Sequence, residues 1–252
     1  MINLILARFK QKYRTYPFPR KEPVMPEKFR GIPIIDNKKC SQCGKCLAGC
    51  PTQAISKGDN QLKIDLGRCI FCVECKNNCE ARAMEYSRDY RLAASVRNDL
   101  IVDGKQGLKL AKQLNKEIIR LFGRSLRLRQ VSAGGCNGCE LDTNVLNTLV
   151  FDLGRFGIQF VASPRHADGI LVTGPVTENM KLALLKTYEA VTSPKLVIAL
   201  GAYAISGGLY RNDAAKIQTG LEGILPIDLY IPGCPPHPYT ILDGLLRLLA
   251  KR

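Results

Sequence analysis

One block of 22 residues occurs twice, and nothing else in the chain restricts its folding so tightly. Residues 35–56 read IDNKKCSQCGKCLAGCPTQAIS and residues 64–85 read IDLGRCIFCVECKNNCEARAME, aligned without gaps at an offset of 29. Each copy spaces its cysteines Cys-x-x-Cys-x-x-Cys-x-x-x-Cys: Cys40, Cys43, Cys46 and Cys50, then Cys69, Cys72, Cys75 and Cys79. Three closely spaced thiols wrap one side of a common centre through a tight turn. The fourth opens a short helical turn that points away from it.

The run resembles the bacterial two-cluster ferredoxin pattern. In that pattern the fourth cysteine of each run ligates the opposite cluster. The resemblance therefore implies two 4Fe–4S centres: Cys40, Cys43, Cys46 and Cys79 for the first, and Cys69, Cys72, Cys75 and Cys50 for the second. Zinc sites more often use two Cys-x-x-Cys pairs than two runs of four. One departure is visible: Pro51 follows Cys50, but Glu80 follows Cys79.

Eleven cysteines is high for 252 residues. No run of about 18 or more apolar residues is present, so nothing reads as a bilayer span. The N-terminal stretch MINLILARFKQKYR has neither a secretory cleavage pattern nor a twin-arginine pair. The expected location is the cytoplasm, where thiols are more often ligands than crosslinks. The net charge of +15 is uneven. Residues 1–30 hold 8 basic and 2 acidic side chains and residues 82–130 hold 12 and 5, whereas residues 131–252 hold 10 of each. Charge alone allows a nucleic-acid binder, but no nucleic-acid recognition motif accompanies it. Basic segments also dock on acidic partners or anionic membrane surfaces.

Pro17, Pro19, Pro23, Pro26 and Pro33 predict an extended basic arm over residues 1–33, suited to clasping a neighbouring subunit. The cysteine repeat defines a unit over 34–90. Residues 91–124 read as a linker whose stretch 107–122, GLKLAKQLNKEIIRLF, has the period of a basic amphipathic helix. That helix either packs on its own domain or docks on a partner or lipid headgroups.

Residues 125–252 alternate strand-like and helix-like stretches. SLRLRQV, GIQFVA, DGILVTG, KLVIALG and PIDLYI are strand-like; LDTNVLNTLVFDL, ENMKLALLKTYEAV and YTILDGLLRLLAKR are helix-like. The pattern is that of an α/β doubly wound parallel sheet, flavodoxin-like in class, following an α+β dicluster ferredoxin-like domain. Ligands of such sheets bind beyond the carboxyl ends of the strands. Cys136 and Cys139 follow the first strand and Cys234 follows the fifth, so three distant thiols are expected at one edge. No G-x-G-x-x-G follows the first strand, which argues against a dinucleotide site.

Residues 28–90, with KFRGIP and DLGRCIFCVEC, resemble the ferredoxin-like subunit of formate hydrogenlyase and its complex I relatives. Residues 125–248 resemble the small subunit of membrane-bound (group 4) nickel–iron hydrogenases and the related complex I 20 kDa subunit. GGCNGCE, RFGI, ASPRHAD, VTGPVTENM, SGGLY and YIPGCPP carry that likeness. It implies a third cluster near the active site of a large catalytic subunit, with Cys136, Cys139 and Cys234 as ligands. The family's remaining cysteine falls on Tyr203, in LGAYAISGG. Three forms of the site are open: a 4Fe–4S cluster with Tyr203 or another non-cysteine ligand, a 3Fe–4S cluster on three thiolates, or an empty scaffold. A phenol with pKa ≈ 10 ionises only with help from the metal's charge. His166 and Glu140 are nearby polar candidates, and no residue is expected to be catalytic. The resemblance implies an electron-transfer subunit of an oxidoreductase complex at the cytoplasmic face of a membrane. The implied partners are a large nickel–iron-hydrogenase-like subunit, membrane subunits and a redox partner. The competing reading is a degenerate scaffold with an altered or empty third site.

Overall fold

The computed structural model describes residues 2–12, 14–58, 61–103, 108–114, 116–122, 125–212 and 219–252. In chain order its elements begin with α1 (Ile2–Gln11), β1 (Pro33–Ile35), α2 (Lys45–Ala48), β2 (Ile55–Lys57), β3 (Leu62–Asp65) and α3 (Glu74–Asn77). Next come β4 (Met84–Tyr86), β5 (Ile101–Asp103), α4 (Lys116–Phe122), β6 (Leu126–Ser132), α5 (Gly138–Val145) and β7 (Ile158–Phe160). The last are β8 (Gly169–Thr173), α6 (Glu178–Ala190), β9 (Leu196–Leu200), α7 (Ala202–Ser206), β10 (Leu229–Ile231) and α8 (Pro238–Leu248).

The sequence duplication is written into the backbone. Gln42 and Phe71 have φ of 54° and 55°, Gly44 and Val73 78° and 66°, Gln53 and Arg82 52° and 49°. Each pair is 29 residues apart. Left-handed backbone is costly for residues with a Cβ, and five of these six have one. The strain turns main-chain donors toward sulfur: the Ala54 N–H donates to Cys50 Sγ and the Ala83 N–H to Cys79 Sγ, both at 3.2 Å. The strands interleave as the copies do, β1 pairing with β4 and β2 with β3, all antiparallel.

Beyond residue 125 five strands form a parallel sheet in the order β10-β9-β8-β6-β7. Counted within this unit alone, that is 2-1-3-4-5 read from the β7 edge. β8 (GILVT) and β9 (LVIAL) are buried at every position, as unbroken apolar runs covered on both faces must be. α8 buries ten of its eleven residues, between the sheet and a cluster of Tyr16, Phe18, Tyr90 and Phe151 around Tyr239. Pro238 fits its first turn, and the His237 ring accepts the Tyr239 N–H at 3.2 Å as an N-terminal cap. Leu242, Leu245 and Leu246 are fully buried there. Each such side chain stabilises the fold by roughly 1.5–3 kcal/mol.

Residues 91–103 tie the two units together. Ala94 exchanges both backbone hydrogen bonds with Tyr230 of β10, while β5 adds antiparallel to β3. Between these points Arg97 grips Asp65 through two bonds of 2.6 and 2.8 Å, with both side chains largely buried.

Four expectations need correction. The arm is not extended throughout, because Ile2–Gln11 is helical; its first proline comes only at position 17. Nor is the arm free to clasp a neighbour along its whole length. Phe18 and Met25 are buried in the chain's own core, and Arg252 reaches back to the Pro19 carbonyl and Glu22. The basic helix begins at Lys116, and Gly107 lies outside the described residues. Residues 108–114 run irregularly, since the Ala111 and Leu114 N–H groups bond to the carbonyls of Ala93 and Leu248. Tertiary partners there outbid helical periodicity. The stretch LDTNVLNTLVFDL is likewise helical only as far as Val145.

Candidate metal centres

The eleven cysteines fall into three groups, none disulfide-bonded. Cys40, Cys43, Cys46 and Cys79 line one cavity; Cys50, Cys69, Cys72 and Cys75 line a second. The fourth thiol of each run therefore stands with the other run's three. The first, outer group includes an exposed cysteine, Cys43. The Lys45 backbone N–H and the Ser41 hydroxyl hold its thiol below the ordinary range. No thiol of the inner group is exposed. Burial pushes Cys69 up to about 12 and raises Cys75 as well. Glu80, the residue that departs from the first copy's proline, is paired with Lys45 on the exposed rim of the outer cavity.

The third group sits at the carboxyl ends of the parallel strands. Cys136, Cys139, Tyr203 and Cys234 line a cavity of about 310 Å³ together with Glu140, Tyr210 and the loops at Gly134 and Gly174. β6 delivers the first two, β9 delivers Tyr203 and β10 delivers Cys234. The close fit depends on Gly201: a Cβ there would lie 2.7 Å from Cys139 Sγ, and its φ is 89°. Burial raises the Cys139 thiol strongly and the Cys234 thiol to about 11. Burial, with Cys234 next in weight, pushes the Tyr203 phenol to about 12. Its ring lies against Gly208, where a Cβ would come within 2.6 Å, and 5.8 Å from the Tyr210 ring. Glu140 is buried and accepts the Thr173 hydroxyl at 2.5 Å. His166 is exposed and does not line this cavity.

A further cavity of about 290 Å³ lies at the junction of the two units. Cys72 of the inner group and Cys234 of the third group both line it, with Phe71, Pro235 and Arg30. The three thiol groups thus form a row: outer, inner, third.

Comparison with known proteins agrees with this division. A family model described as NADH ubiquinone oxidoreductase, 20 Kd subunit, matches residues 136–248, and one described as a 4Fe-4S dicluster domain matches residues 32–80. The probable membrane-bound hydrogenase subunit mbhJ of Pyrococcus furiosus is 41% identical over 143 residues, which are 56% of this chain and 85% of that one. The chain belongs to the NADH ubiquinone oxidoreductase 20 Kd subunit family. Formate hydrogenlyase subunit 7 of Escherichia coli is 40% identical over 136 residues, 54% of this chain and 53% of its own length. A chain in the solved structure of the membrane-bound sulfane sulfur reductase, an archaeal respiratory membrane complex, is 36% identical. It matches 53% of this chain and 73% of its own with a TM-score of 0.47.

In this member of the 20 Kd subunit family the donor sets suit polynuclear centres. Among the described residues no three His, Cys, Asp or Glu side chains are arranged to hold a single metal ion. The thiols surround cavities instead of meeting at a point, which suits iron–sulfur clusters better than zinc. Sequence reasoning missed Tyr86, whose hydroxyl lies 3.2 Å from Cys75 Sγ, and Thr173 beneath Glu140. The first had a signal: at the 29-residue offset Tyr86 stands opposite Lys57, a mismatch between copies. Thr173 had none, because only strand pairing brings β8 beside the β6 loop.

Proposed function

We propose that this chain is the iron–sulfur electron-transfer subunit of a membrane-associated complex of the hydrogenase, formate hydrogenlyase and complex I type. The observation that carries the reading is the row of thiol groups, with Cys72 and Cys234 on one cavity wall. In this reading Cys40, Cys43, Cys46 and Cys79 hold the outer 4Fe–4S centre, and Cys50, Cys69, Cys72 and Cys75 hold the inner one. Such centres, when bound, take up and release single electrons. The chain's own part is to fix their order, bury the inner position and keep the third beside a docking face. Membership of a family found in membrane-bound complexes, with no helix among the described residues long and apolar enough to cross a membrane, supports a peripheral subunit. We assign it to the cytoplasmic side. Its partners are a large hydrogenase-like subunit over the third cavity, membrane subunits, and a redox partner near the exposed Cys43. The domain division 1–33, 34–90, 91–124 and 125–252 belongs to the same proposal, with the last unit doubly wound and flavodoxin-like; its 2-1-3-4-5 strand order supports that.

For the third position the wall favours three thiolates, Cys136, Cys139 and Cys234, with Tyr203 as a neutral neighbour. A phenol pushed up to about 12 by burial and the neighbouring thiols resists the ionisation that ligation requires, and the Leu209 backbone N–H, which donates to it, offsets only part of that rise. The test is iron and sulfide content of the anaerobically reconstituted chain. About eleven or twelve irons supports three filled positions, and about eight leaves the third as scaffold. A zinc-loaded, colourless product would refute the electron-transfer reading.

A further inference from the structure

The inner and outer four-thiol groups are copies in sequence, yet hydroxyls distinguish them: the inner cavity holds Thr52, 3.8 Å from Cys50 Sγ where the other copy has Ala81, and, closer to a sulfur, Tyr86. Tyr86 ends β4, pairs in register with Pro33 of β1, and lines the inner cavity with Cys50, Cys69, Cys72 and Cys75. Its oxygen is 3.2 Å from Cys75 Sγ. A metal-bound thiolate carries no proton, so in the loaded site the phenol is the only possible donor of this bond. In the first copy the corresponding residues are Lys57 and Cys46, and Cys46 is met by backbone N–H groups of its own turn. The outer group does have a hydroxyl, Ser41 beside Cys43, but Cys43 is exposed, where water competes for the same sulfur.

The inner group also differs in its surroundings. Leu66 and Phe71 are buried beside it, and the turn at Gly67 presses against Ile205 of α7, where an added Cβ would lie 2.8 Å away. Burial opposes adding an electron to a centre that already carries negative charge. Hydrogen bonds to its sulfurs favour that addition, and both effects set cluster potentials. Without compensation, the middle position of the row would be the hardest to reduce.

We propose that Tyr86 tunes the inner position: its hydroxyl, donated to the Cys75 thiolate, holds that centre's reduction potential above the value set by its burial. The outer copy, open to water, does without such a residue. The inference rests on the reading of Cys50, Cys69, Cys72 and Cys75 as cluster ligands.

Tyr86→Phe removes the hydroxyl and little else. The experiment is a potentiometric titration of the full, reconstituted chain followed by electron paramagnetic resonance, with iron content measured alongside. Cys43→Ser identifies the outer centre by displacing or abolishing its signal. The expected result is a more negative midpoint for the inner centre, an unmoved outer midpoint and unchanged iron. An unmoved inner midpoint, or equal movement of both, overturns the proposal. Should Tyr86→Phe lose iron, 3-fluorotyrosine placed at position 86 keeps the test alive, because its more acidic phenol donates more strongly. A positive shift of the inner midpoint then supports the proposal, and no shift overturns it. Wild-type protein that binds no iron removes the cluster reading itself, and the inference falls with it by that separate route.

Discussion

The eight thiols of the repeat come from forty consecutive positions, whereas Cys136, Cys139 and Cys234 span nearly a hundred. The first set is gathered by local turns: paired left-handed residues, two short helices and hydrogen bonds that recur at one offset. The second is gathered by topology, because a parallel sheet brings its strands' carboxyl ends to one edge. A locally encoded site keeps its full donor set or loses a recognisable pattern. On the reading proposed above, a topologically encoded one exchanges a donor, here for Tyr203, while the sheet and its loops stay intact. If that reading holds, the third site can change its metal chemistry without endangering the fold, and the repeat cannot.

The strongest way to break this comparison is to remove one thiol from each kind of site. Cys72→Ala takes a donor from the inner group at the point nearest Cys234. The expected outcome is loss of about four irons per chain, the content of one 4Fe–4S centre. Reduction of the third centre by a donor acting at the outer end should slow by orders of magnitude. Cys136→Ala, from an exposed position, is expected to change only the third centre's signal and leave the ferredoxin-type signals as they were. Metal analysis and anaerobic stopped-flow absorbance check both. If Cys136→Ala also strips the repeat of iron, the sites are not independent and the contrast fails.

The same distinction governs what could be read in advance. The repeat was legible to the residue: spacing and offset name its eight thiols, and the resemblance to two-cluster ferredoxins implies their exchange between runs. The five strands were legible as apolar runs, and the edge that gathers Cys136, Cys139, Tyr203 and Cys234 followed from their alternation with helices. What was not legible depended on contacts between distant segments. The Arg97–Asp65 grip, the strand at Ile101–Asp103 inside an apparent linker, and the irregular path of residues 108–114 all arise from tertiary partners. The helix at Ile2–Gln11 has a different reason: Ile2, Ile5, Leu6 and Phe9 fall at helical spacing, but the five prolines from position 17 onward give the arm as a whole an extended signature.

Arg97 offers a test of how firmly the two units are joined. Its pair with Asp65 leaves only 15% of each side chain exposed. Arg97→Ala removes the two-point partner of the Asp65 carboxylate but leaves it Arg68 at 3.4 Å and the Gly67 N–H at 2.9 Å, so the cost falls below the ~3 kcal/mol of a buried charge left with no partner. We expect a corresponding drop in the urea midpoint of the reconstituted chain, with the repeat's iron retained. Arg97→Lys should recover only part of the loss, because lysine cannot reproduce the two-point grip. A smaller effect is expected from Tyr203→Cys, which adds a fourth thiol to the third site. It should change the third centre's paramagnetic signal and ease its loading, with no change in the ferredoxin-type signals. An unchanged spectrum would mean that Tyr203 does not occupy the fourth corner.

The finest distinction is between the outer and inner halves of the repeat itself, and thiol reactivity of the metal-free chain reads it. The nucleophile in alkylation is the thiolate. Cys43 is exposed and held below its ordinary 9.0 by the Lys45 N–H and the Ser41 hydroxyl, so it ionises early. Cys69, pushed up to about 12 by burial, remains almost wholly protonated at neutral pH. With iodoacetamide at pH 7, peptide mapping should find Cys43 modified first and Cys69 among the last. Raising the pH has opposite consequences for the two. The Cys43 rate levels off once the pH passes its lowered pKa, while the Cys69 rate goes on rising about tenfold per pH unit up to its own. The same protons must leave when metal binds, so loading of the inner group should strengthen as pH rises. Equal alkylation rates at Cys43 and Cys69 across pH 7–9 would show that the two copies share one environment, and the asymmetry assigned to the repeat would be gone.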